Sequence, residues 1–429
     1  MTVSGLLLGA LGVLARAEAN MLTRSENELL TRVGRGTPAG ELLRRYWHPV
    51  AAAAELTDEK PIRAVKILGE DLVVYRDKSG RYGLVGEHCP HRSASLAYGR
   101  VDEEGIRCPY HGWKFDQAGK CLEQPAEPPG STFKDRIKHV AYPVEYLGGL
   151  IYAYLGPAPV PLLPRWDVLV WENGKRWIVK ESIIDCNWLQ PMENSVDPSH
   201  LFWLHGDTAH LAPRVKKYAE RHEFIPFEYG IKKRRTTIPV ATGGKPEVDE
   251  HPLLFPTILR HVAPYEDGKG HRHNLQIRVP VDDRHTQVFR VNFVPSESEK
   301  SPPDAPVPFR YSELKSGPRE YKMNMVSAQD SMAWETQGYI TDRTAEHLGV
   351  GDEGVIAFRK LLKEQIERVQ SGRDSIGIIR DPQKNQLIDL GVINERIGLY
   401  GASGPHADQS EPLLRPSSSP VNSPQKRRM

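Results

Sequence analysis

The sequence predicts an α+β protein in which a small all-β domain precedes a larger domain built on a mixed sheet with covering helices. Two observations predict this class. Short β segments separated by turn residues run from about residue 63 to 156, whereas strand patterns mix with a long amphipathic helix beyond residue 164. We therefore expect an N-terminal extension and lead-in helix at 1–44, the all-β domain at 45–157, the second domain at 158–400 and a disordered tail at 401–429.

Turn sequences between short apolar runs predict the strands of the first domain. An Asp-Lys-Ser-Gly turn at 77–80 separates two such runs, and an Asp-Gln-Ala-Gly turn at 116–119 separates two more, so each indicates a hairpin. The apolar run Leu150–Tyr154, which ends at Gly156 and Pro157, predicts the last strand of this domain.

The second domain shows strand patterns at 257–261, 274–279 and 287–293, the last two joined by a turn at 282–284. An amphipathic helix follows, opened by Asp352 and closed by Gly372. Its apolar residues recur at three- and four-residue steps, namely Val355, Phe358, Leu362, Ile366 and Val369.

Composition argues against several classes of protein. The formal charge of +2, with Lys and Arg spread along the chain, gives no reason to expect a nucleic-acid partner. Four cysteines are too few for a disulfide scaffold in this length, which predicts a cytoplasmic protein. The apolar stretch Leu6–Leu14 is too short to span a membrane and no basic residue precedes it, so we expect an extension ahead of Met21 rather than an export signal.

The strongest motif is Cys-Pro-His-Arg at 89–92, followed after fifteen residues by Cys-Pro-Tyr-His-Gly-Trp at 108–113. Each half supplies one thiolate and one imidazole, namely Cys89 with His91 and Cys108 with His111. A Rieske [2Fe-2S] cluster needs this set, with two cysteines on one iron and two histidines on the other. A structural zinc site has the same ligand count, but zinc motifs usually pair Cys with Cys and His with His.

From about residue 21 to 400 the chain resembles the oxygenase (alpha) components of Rieske non-haem iron aromatic ring-hydroxylating oxygenases. The resemblance is to the group typified by phthalate dioxygenase, phenoxybenzoate dioxygenase and vanillate O-demethylase. It implies an all-β Rieske domain and a helix-grip-like catalytic domain. It also implies one [2Fe-2S] cluster and one mononuclear Fe(II) per chain, with NADH acting only through a separate reductase.

A second metal motif lies in the second domain. His200 and His205 follow an Asn-Trp-Leu-Gln-Pro-Met-Glu-Asn segment, and two imidazoles with one carboxylate form the facial triad of non-haem Fe(II) oxygenases. A spacing of five would splay the rings by about 140° on a regular helix, so shared ligation requires a local helix distortion. The resemblance favours Asp330 as the third ligand, with Glu335 and Asp342 as alternatives.

Two further residues are candidates for the catalytic machinery. Asp197 stands one helical turn before His200, and the resemblance implies that it links His200 to His111 of a neighbouring chain. The alternative is a helix N-cap. Asn194 is similar to an Asn near the iron in some family members. An electron path between chains implies a head-to-tail contact, and the family suggests a C₃ homotrimer.

The predicted function is that of a terminal oxygenase that activates O₂ and dioxygenates the ring of an aromatic, carboxylated compound. The alternative reaction is O-demethylation or ether cleavage of a methoxylated or diaryl-ether aromatic acid. Two alternatives belong to other classes of protein: a non-catalytic Rieske electron carrier and a zinc-stabilised binding protein. No dinucleotide-binding glycine motif follows a strand, so electrons come from a separate NADH-dependent reductase. The apolar residues 201–204 are candidates for the substrate pocket. The basic run 232–235 is expected to be an exposed charged strand or turn, and contact with a carboxylated substrate is the alternative.

Overall fold

A computed structural model describes residues 21–205, 218–239, 245–264 and 270–394. The predicted extension at 1–20 and the predicted disordered tail at 401–429 lie outside the described residues. The α-helices of the described chain are α1 (Arg24–Thr31), α2 (Pro38–Leu43), α3 (Asp167–Val170), α4 (Leu189–Val196), α5 (His200–Leu204), α6 (Val326–Glu335) and α7 (Glu353–Gln370).

Three small antiparallel sheets make up the first part of the chain. Their strands are β1 (Trp47–Ala52), β2 (Ile62–Ile67), β3 (Glu70–Arg76), β4 (Tyr82–Gly86), β5 (Arg100–Val101), β6 (Ile106–Arg107), β7 (Lys114–Phe115), β8 (Cys121–Glu123), β9 (Ala141–Tyr142), β10 (Val144–Leu147) and β11 (Leu150–Tyr154). The strand orders are β1-β11-β10, β2-β3-β4-β9 and β5-β6-β7-β8. Both predicted hairpins are confirmed, since β3 pairs with β4 and β7 pairs with β8.

One large sheet dominates the second part. Its strands are β12 (Asn173–Glu181), β13 (Tyr218–Phe227), β14 (Gly230–Pro239), β15 (Glu247–Leu254), β16 (Ile258–Pro264), β17 (His271–Pro280), β18 (Thr286–Lys300), β19 (Phe309–Ser312) and β22 (Ile393–Asn394), while β20 (Lys315–Gly317) and β21 (Glu320–Tyr321) form a separate ribbon. The order is β13-β14-β15-β16-β17-β18-β12-β19, with β22 beside β15. The pair β12–β19 is parallel and its neighbours are antiparallel, so the predicted mixed sheet is confirmed.

The predicted long helix is also confirmed. Helix α7 begins at Glu353, directly after Asp352, and ends at Gln370; Gly372 lies two residues on, in the left-handed region at φ +75°. Its buried residues Phe358 and Leu362 share one core with residues of the large sheet. In the part of the chain that the structure describes, no helix is both long and apolar enough to cross a membrane.

The two faces of the large sheet differ in chemistry. On β17 and β18, Leu275 and Phe289 belong to the same core as α7. The residues that alternate with them, such as Asn274, Arg278 and Arg290, are polar. Asn274 and Arg278 are nevertheless buried, so this side of the sheet, which we call the polar face, is covered by protein.

A buried ion network fixes α4, the helix that leads to the predicted metal motif. The Glu193 carboxylate accepts hydrogen bonds from Arg343 at 2.9 and 2.6 Å and from Arg359 at 2.6 Å. All three side chains are buried. Burial by itself would raise the pKa of Glu193, but the two guanidinium groups outweigh it and hold that pKa below its ordinary 4.5.

Glu193→Ala should lower the free energy of unfolding by about 3–5 kcal/mol, because two guanidinium groups would lose their buried counter-charge. Denaturant unfolding measures the loss, and Glu364→Ala is the control because Lys360 and Glu364 form an exposed pair at 3.9 Å. Folding lowers the pKa of Glu193. The contribution of Glu193 to the free energy of unfolding is therefore present above pH 4.5, and it disappears as the pH falls through the lower pKa of the folded protein. Equal stability of the two variants would contradict this role.

Candidate metal centres

The two loops of the Cys–His motif share one hydrogen-bond pattern. In each loop the cysteine amide donates to the carbonyl five positions on, and the cysteine carbonyl accepts from the amide four positions on, at 2.8–3.2 Å. The fourth position lies in the left-handed region in both loops, with φ +59° at Ser93 and φ +73° at Gly112. The loops therefore present Cys89 and Cys108 in equivalent backbone settings.

The thiols and the imidazoles of these loops lie in different environments. Cys89 and Cys108 are buried in a small apolar core, whereas His91 is exposed and His111 is half-buried. The two imidazole centroids lie 4.6 Å apart, and the Trp113 ring stacks on His91 at 4.4 Å. Burial raises the pKa of the Cys89 thiol to about 11, and neighbouring Cys108 adds to the effect.

This arrangement suits a binuclear cluster. All four cysteines of the chain are free, so no disulfide competes for Cys89 or Cys108. Two buried thiols side by side ionise only if a metal supplies positive charge. Two imidazoles near solvent would then complete the cluster at the edge through which electrons enter and leave.

The second group of donors gathers at the end of a short helix. Helix α5 ends at Leu204, and His205 follows outside it at φ −103° and ψ 4°. The required distortion is thus a helix end, which lets the rings of His200 and His205 approach to 5.4 Å between centroids. The Asp330 Oδ1 atom on α6 lies 3.1 Å from His205 Nε2 and 4.0 Å from His200 Nε2. One ligand atom from each of these residues lies within 4.8 Å of the other two.

The alternative carboxylates are held elsewhere. Glu335 accepts a hydrogen bond from the Tyr321 hydroxyl at 2.7 Å and pairs with Lys315 at 2.5 Å. Asp342 is exposed and accepts hydrogen bonds from the Thr344 amide and hydroxyl. Of the three candidates, the structure brings only Asp330 to the histidines.

The electrostatics of this group suit a divalent cation. Burial lowers the pKa of His200. For His205, the Asp330 carboxylate outweighs burial and raises the pKa, so a cation beside Asp330 would take the place of that proton. Asp330 Oδ1 is closed off from solvent without a hydrogen-bond partner, a costly state for a carboxylate oxygen. Two imidazoles and one carboxylate match the preference of non-haem Fe(II).

Sequence reasoning gave no role to Gln329, which precedes Asp330. Its Oε1 atom accepts a hydrogen bond from His205 Nδ1 at 2.7 Å, and its Nε2 donates to the Met323 carbonyl at 2.7 Å. Because the second bond fixes the orientation of the amide, His205 carries its proton on Nδ1 and leaves Nε2 free for a metal. No sequence pattern signals such a partner, because only the fold shows which ring the amide meets.

Gln329→Leu should weaken retention of the second metal about tenfold, because the ring of His205 would lose its orienting partner. Iron content during titration with a chelator measures the effect. Gln337→Leu is the control, since that amide is exposed and donates to the Ala333 carbonyl. Equal iron retention in the two variants would show that Gln329 does not position His205.

The structure places Asp197 close to His200, but in a different conformation from that expected. Asp197 caps the C-terminus of α4 with extended backbone, and Ser199 is the N-cap of α5, so both the helical-turn geometry and the N-cap alternative are wrong. Asp197 Oδ1 accepts a hydrogen bond from the Ser199 amide at 2.7 Å, and Oδ2 lies 3.8 Å from His200 Nδ1. Asn194 is half-buried, and its carbonyl accepts from the Asp197 amide at 3.1 Å.

The two donor groups are separate within one chain. Among the residues with described contacts, no hydrogen bond, ion pair or ring contact joins the Cys–His loops to His200, His205 or Asp330. Of the apolar residues 201–204, Leu201 and Leu204 are half-buried and Trp203 is 78% exposed. A binuclear cluster domain followed by a His/His/Asp site on a helix-covered sheet defines an iron-dependent oxygenase.

Comparisons with known proteins agree with this class. The Rieske [2Fe-2S] domain family matches residues 46–141, and a family described as LigXa C-terminal domain like matches residues 314–396. The 5,5'-dehydrodivanillate O-demethylase oxygenase subunit of a Sphingobium species is 40% identical over 390 residues, which cover 89% of each chain. The phenoxybenzoate dioxygenase subunit alpha of Ectopseudomonas oleovorans is 34% identical, covering 81% of this chain and 87% of the relative. The phthalate 4,5-dioxygenase oxygenase subunit of Pseudomonas putida is 30% identical, with coverages of 83% and 89%.

Solved structures share the fold. NdmA of Pseudomonas putida has a TM-score of 0.55 at 24% identity, covering 77% of this chain and 93% of that chain. Dicamba monooxygenase bound to dicamba has a TM-score of 0.53 at 17% identity, covering 77% and 99%. The chain belongs to the Rieske non-haem iron oxygenases, as an oxygenase component. It therefore carries a Rieske [2Fe-2S] domain and uses a mononuclear iron, and the electron-carrier and zinc alternatives are not supported.

Proposed function

We propose that this protein is the terminal oxygenase of a reductase-dependent system that O-demethylates a methoxylated aromatic acid. The observation that carries the oxygenase chemistry is the convergence of His200, His205 and Asp330 within 4.8 Å in a chain that also has a Rieske domain. The 40% identity to an O-demethylase oxygenase subunit, along 89% of both chains, supports the choice of reaction.

Each predicted ligand has a place in this proposal. Cys89 and Cys108 would hold one cluster iron, and His91 and His111 the other. His200, His205 and Asp330 would hold the mononuclear iron and leave adjacent positions open. When bound, the two centres supply electrons and O₂ activation. The chain itself would orient the ligands, through Gln329 at His205 and Asp197 at His200, and it closes the Oδ1 atom of Asp330 off from water.

The proposed reaction balances with O₂ and NADH. One oxygen atom enters a C–H bond of an aryl methoxy group, and the other leaves as water. A separate NADH-dependent reductase, whether or not a ferredoxin intervenes, supplies two electrons, and two protons complete the step. The hemiacetal product then breaks its bond between oxygen and the methylene carbon to give a phenol and formaldehyde.

Ring dioxygenation is the second candidate. It is supported by the dioxygenase relatives at 34% and 30% identity.

The test of both candidates is turnover of iron- and sulfide-loaded enzyme with a surrogate reductase, NADH and O₂ on vanillate, 5,5'-dehydrodivanillate, phenoxybenzoate and phthalate. Formaldehyde with a demethylated phenol supports the first proposal, and a product that gains both atoms of labelled O₂ supports the second. NADH oxidation without any oxidised aromatic product would overturn both.

We also propose a C₃ homotrimer located in the cytoplasm. Three features support an electron path between chains: the exposed imidazole edge of the Cys–His loops, the exposed Trp203 beside the second metal group, and Asp197 at 3.8 Å from His200 Nδ1. His111 of one chain would approach Asp197 of the next, so that a carboxylate joins the two imidazoles. Free cysteines fit a reducing compartment.

A further inference from the structure

The basic run at 232–235 is not an exposed strand with equivalent charges. It lies in β14, where successive side chains point to opposite faces. Lys232 and Arg234 both pair with Glu250, at 3.2 and 2.7 Å. The side chains of Lys233 and Arg235 point to the opposite face of the sheet, and Arg235 is buried. The run therefore contributes two cations to the polar face of the large sheet.

On the polar face, the charge of Arg235 is paired with a carboxylate, whereas the charge of Lys233 is not. The Arg235 guanidinium pairs with Asp249 at 2.7 Å. Along the described chain, no carboxylate lies within ion-pair distance of Lys233. Other cations of the polar face are engaged: Arg290 pairs with Glu181 at 2.5 Å, and Arg278 donates to Gln276 Oε1 at 3.0 Å.

Lys233 lies near the end of α4, the helix that leads to the second metal group: it stands opposite Phe224 of β13, and Phe224 and the Val196 carbonyl both lie against Gly354 of α7. Lys233 stands opposite His251 in the sheet register, and the ring of His251 lies 4.6 Å from that of His261. His251 Nε2 is buried without a hydrogen-bond partner. Lys233 is thus a cation without a described counter-ion on the polar face, near the end of α4.

We propose that Lys233 is the anion-binding residue of the substrate site, where its ammonium group pairs with the carboxylate of the aromatic acid. This inference rests on the proposed oxygenase function and specifies its substrate class. An ammonium group that is half-buried and has no protein counter-ion is stabilised by an anionic ligand, and the pair gains strength because few waters compete. Anchored there, the aromatic ring would extend from β14 towards His200.

The test compares binding of 5,5'-dehydrodivanillate and of its uncharged diamide to anaerobic enzyme loaded with both metal centres, measured by calorimetry. We expect Lys233→Met to weaken binding of the acid about tenfold or more, with little change for the diamide. Lys233→Arg should retain most of the affinity because it keeps the charge. Lys232→Met is the matched control, since its neighbouring ammonium group faces the other way and pairs with Glu250.

The pH dependence gives a second readout. Burial lowers the pKa of Lys233 to about 8, so affinity for the acid should fall as the pH rises through 8 in the wild type but not in Lys233→Arg. The neighbouring imidazoles do not interfere, because burial lowers the pKa of His251 to about 3 and holds that of His261 well below its ordinary 6.5. The other charged groups that act on Lys233 are Arg235, Asp249, Asp197 and Arg278.

The outcomes separate this inference from the proposed function. Unchanged acid binding in Lys233→Met, or equal losses for acid and diamide, overturns the anion site, and formaldehyde formation by the wild type then still supports O-demethylation. Absence of any oxidised product from the wild type on the whole panel overturns the proposed function instead. Selective loss of acid binding in Lys233→Met alone, with Lys232→Met unaffected, supports the inference.

Discussion

Asp330→Ala should purify with its Rieske cluster intact and without the mononuclear iron. Among the described residues, Asp330 is the acid whose carboxylate groups with His200 and His205 as a third ligand, and two neutral imidazoles alone hold Fe(II) weakly. We expect acid-labile sulfide and the visible spectrum of the cluster to be unchanged, with about one iron fewer per chain. Oxygenation should fall at least about 1,000-fold, as expected when a catalytic metal is removed.

Asp342→Asn is the matched control for this experiment. Asp342 is another downstream acid, but it is exposed and bonded to Thr344, so its loss should leave iron content and turnover unchanged. Full iron content in Asp330→Ala, or loss of iron in Asp342→Asn, would mean that Asp330 does not complete the site.

Asp197→Ala should retain both metal centres and yet transfer electrons between them about 100-fold more slowly. Asp197 contributes one carboxylate oxygen near His200 Nδ1, and that imidazole nitrogen has no other partner in the described structure. Without the carboxylate, the proposed path between the cluster of one chain and the iron of the next loses its bridging group. Rapid mixing of pre-reduced enzyme with substrate and O₂ would measure the rate at which the cluster is oxidised.

Asp197→Asn separates the bridging role from local structure. An asparagine oxygen can still accept the hydrogen bond from the Ser199 amide, so the connection between α4 and α5 should persist. We expect slow electron transfer in this variant as well, with normal metal content and stability. Cluster oxidation at the wild-type rate in both variants would show that Asp197 is not part of the path.

The Rieske domain could be predicted from the sequence because the chemistry of its two cluster loops is local. Cys89 and His91 lie within one turn, as do Cys108 and His111, and the flanking hairpins follow from turn residues. The His200 and His205 pair is local too, and the structure places the end of a short helix between the two residues. By contrast, Asp330 comes from a distant helix, and only the family resemblance selected it from other acids before the fold brought it to the histidines.

Other features depend on tertiary structure that no local pattern encodes. Gln329 acts on His205 only because α6 packs beside the end of α5. Lys233 and Lys232 are adjacent and chemically alike in the sequence. The sheet register decides which of them meets Glu250 and which lies on the polar face beside His251. The conformation of Asp197 was mispredicted because α4 ends one residue earlier, a boundary that the sequence does not mark.

Cooperation between two metal centres across a chain boundary is tested most directly with mixed assemblies. A Cys108→Ser chain, which should lack the cluster, and an Asp330→Ala chain, which should lack the mononuclear iron, would be co-expressed with different affinity tags and purified through both. Each variant alone should be inactive. We predict that the mixed assembly regains oxygenation, because the cluster of one chain can serve the iron of its neighbour. A mixed assembly that contains both kinds of centre, confirmed by iron and sulfide content, but shows no oxygenation would contradict the path between chains.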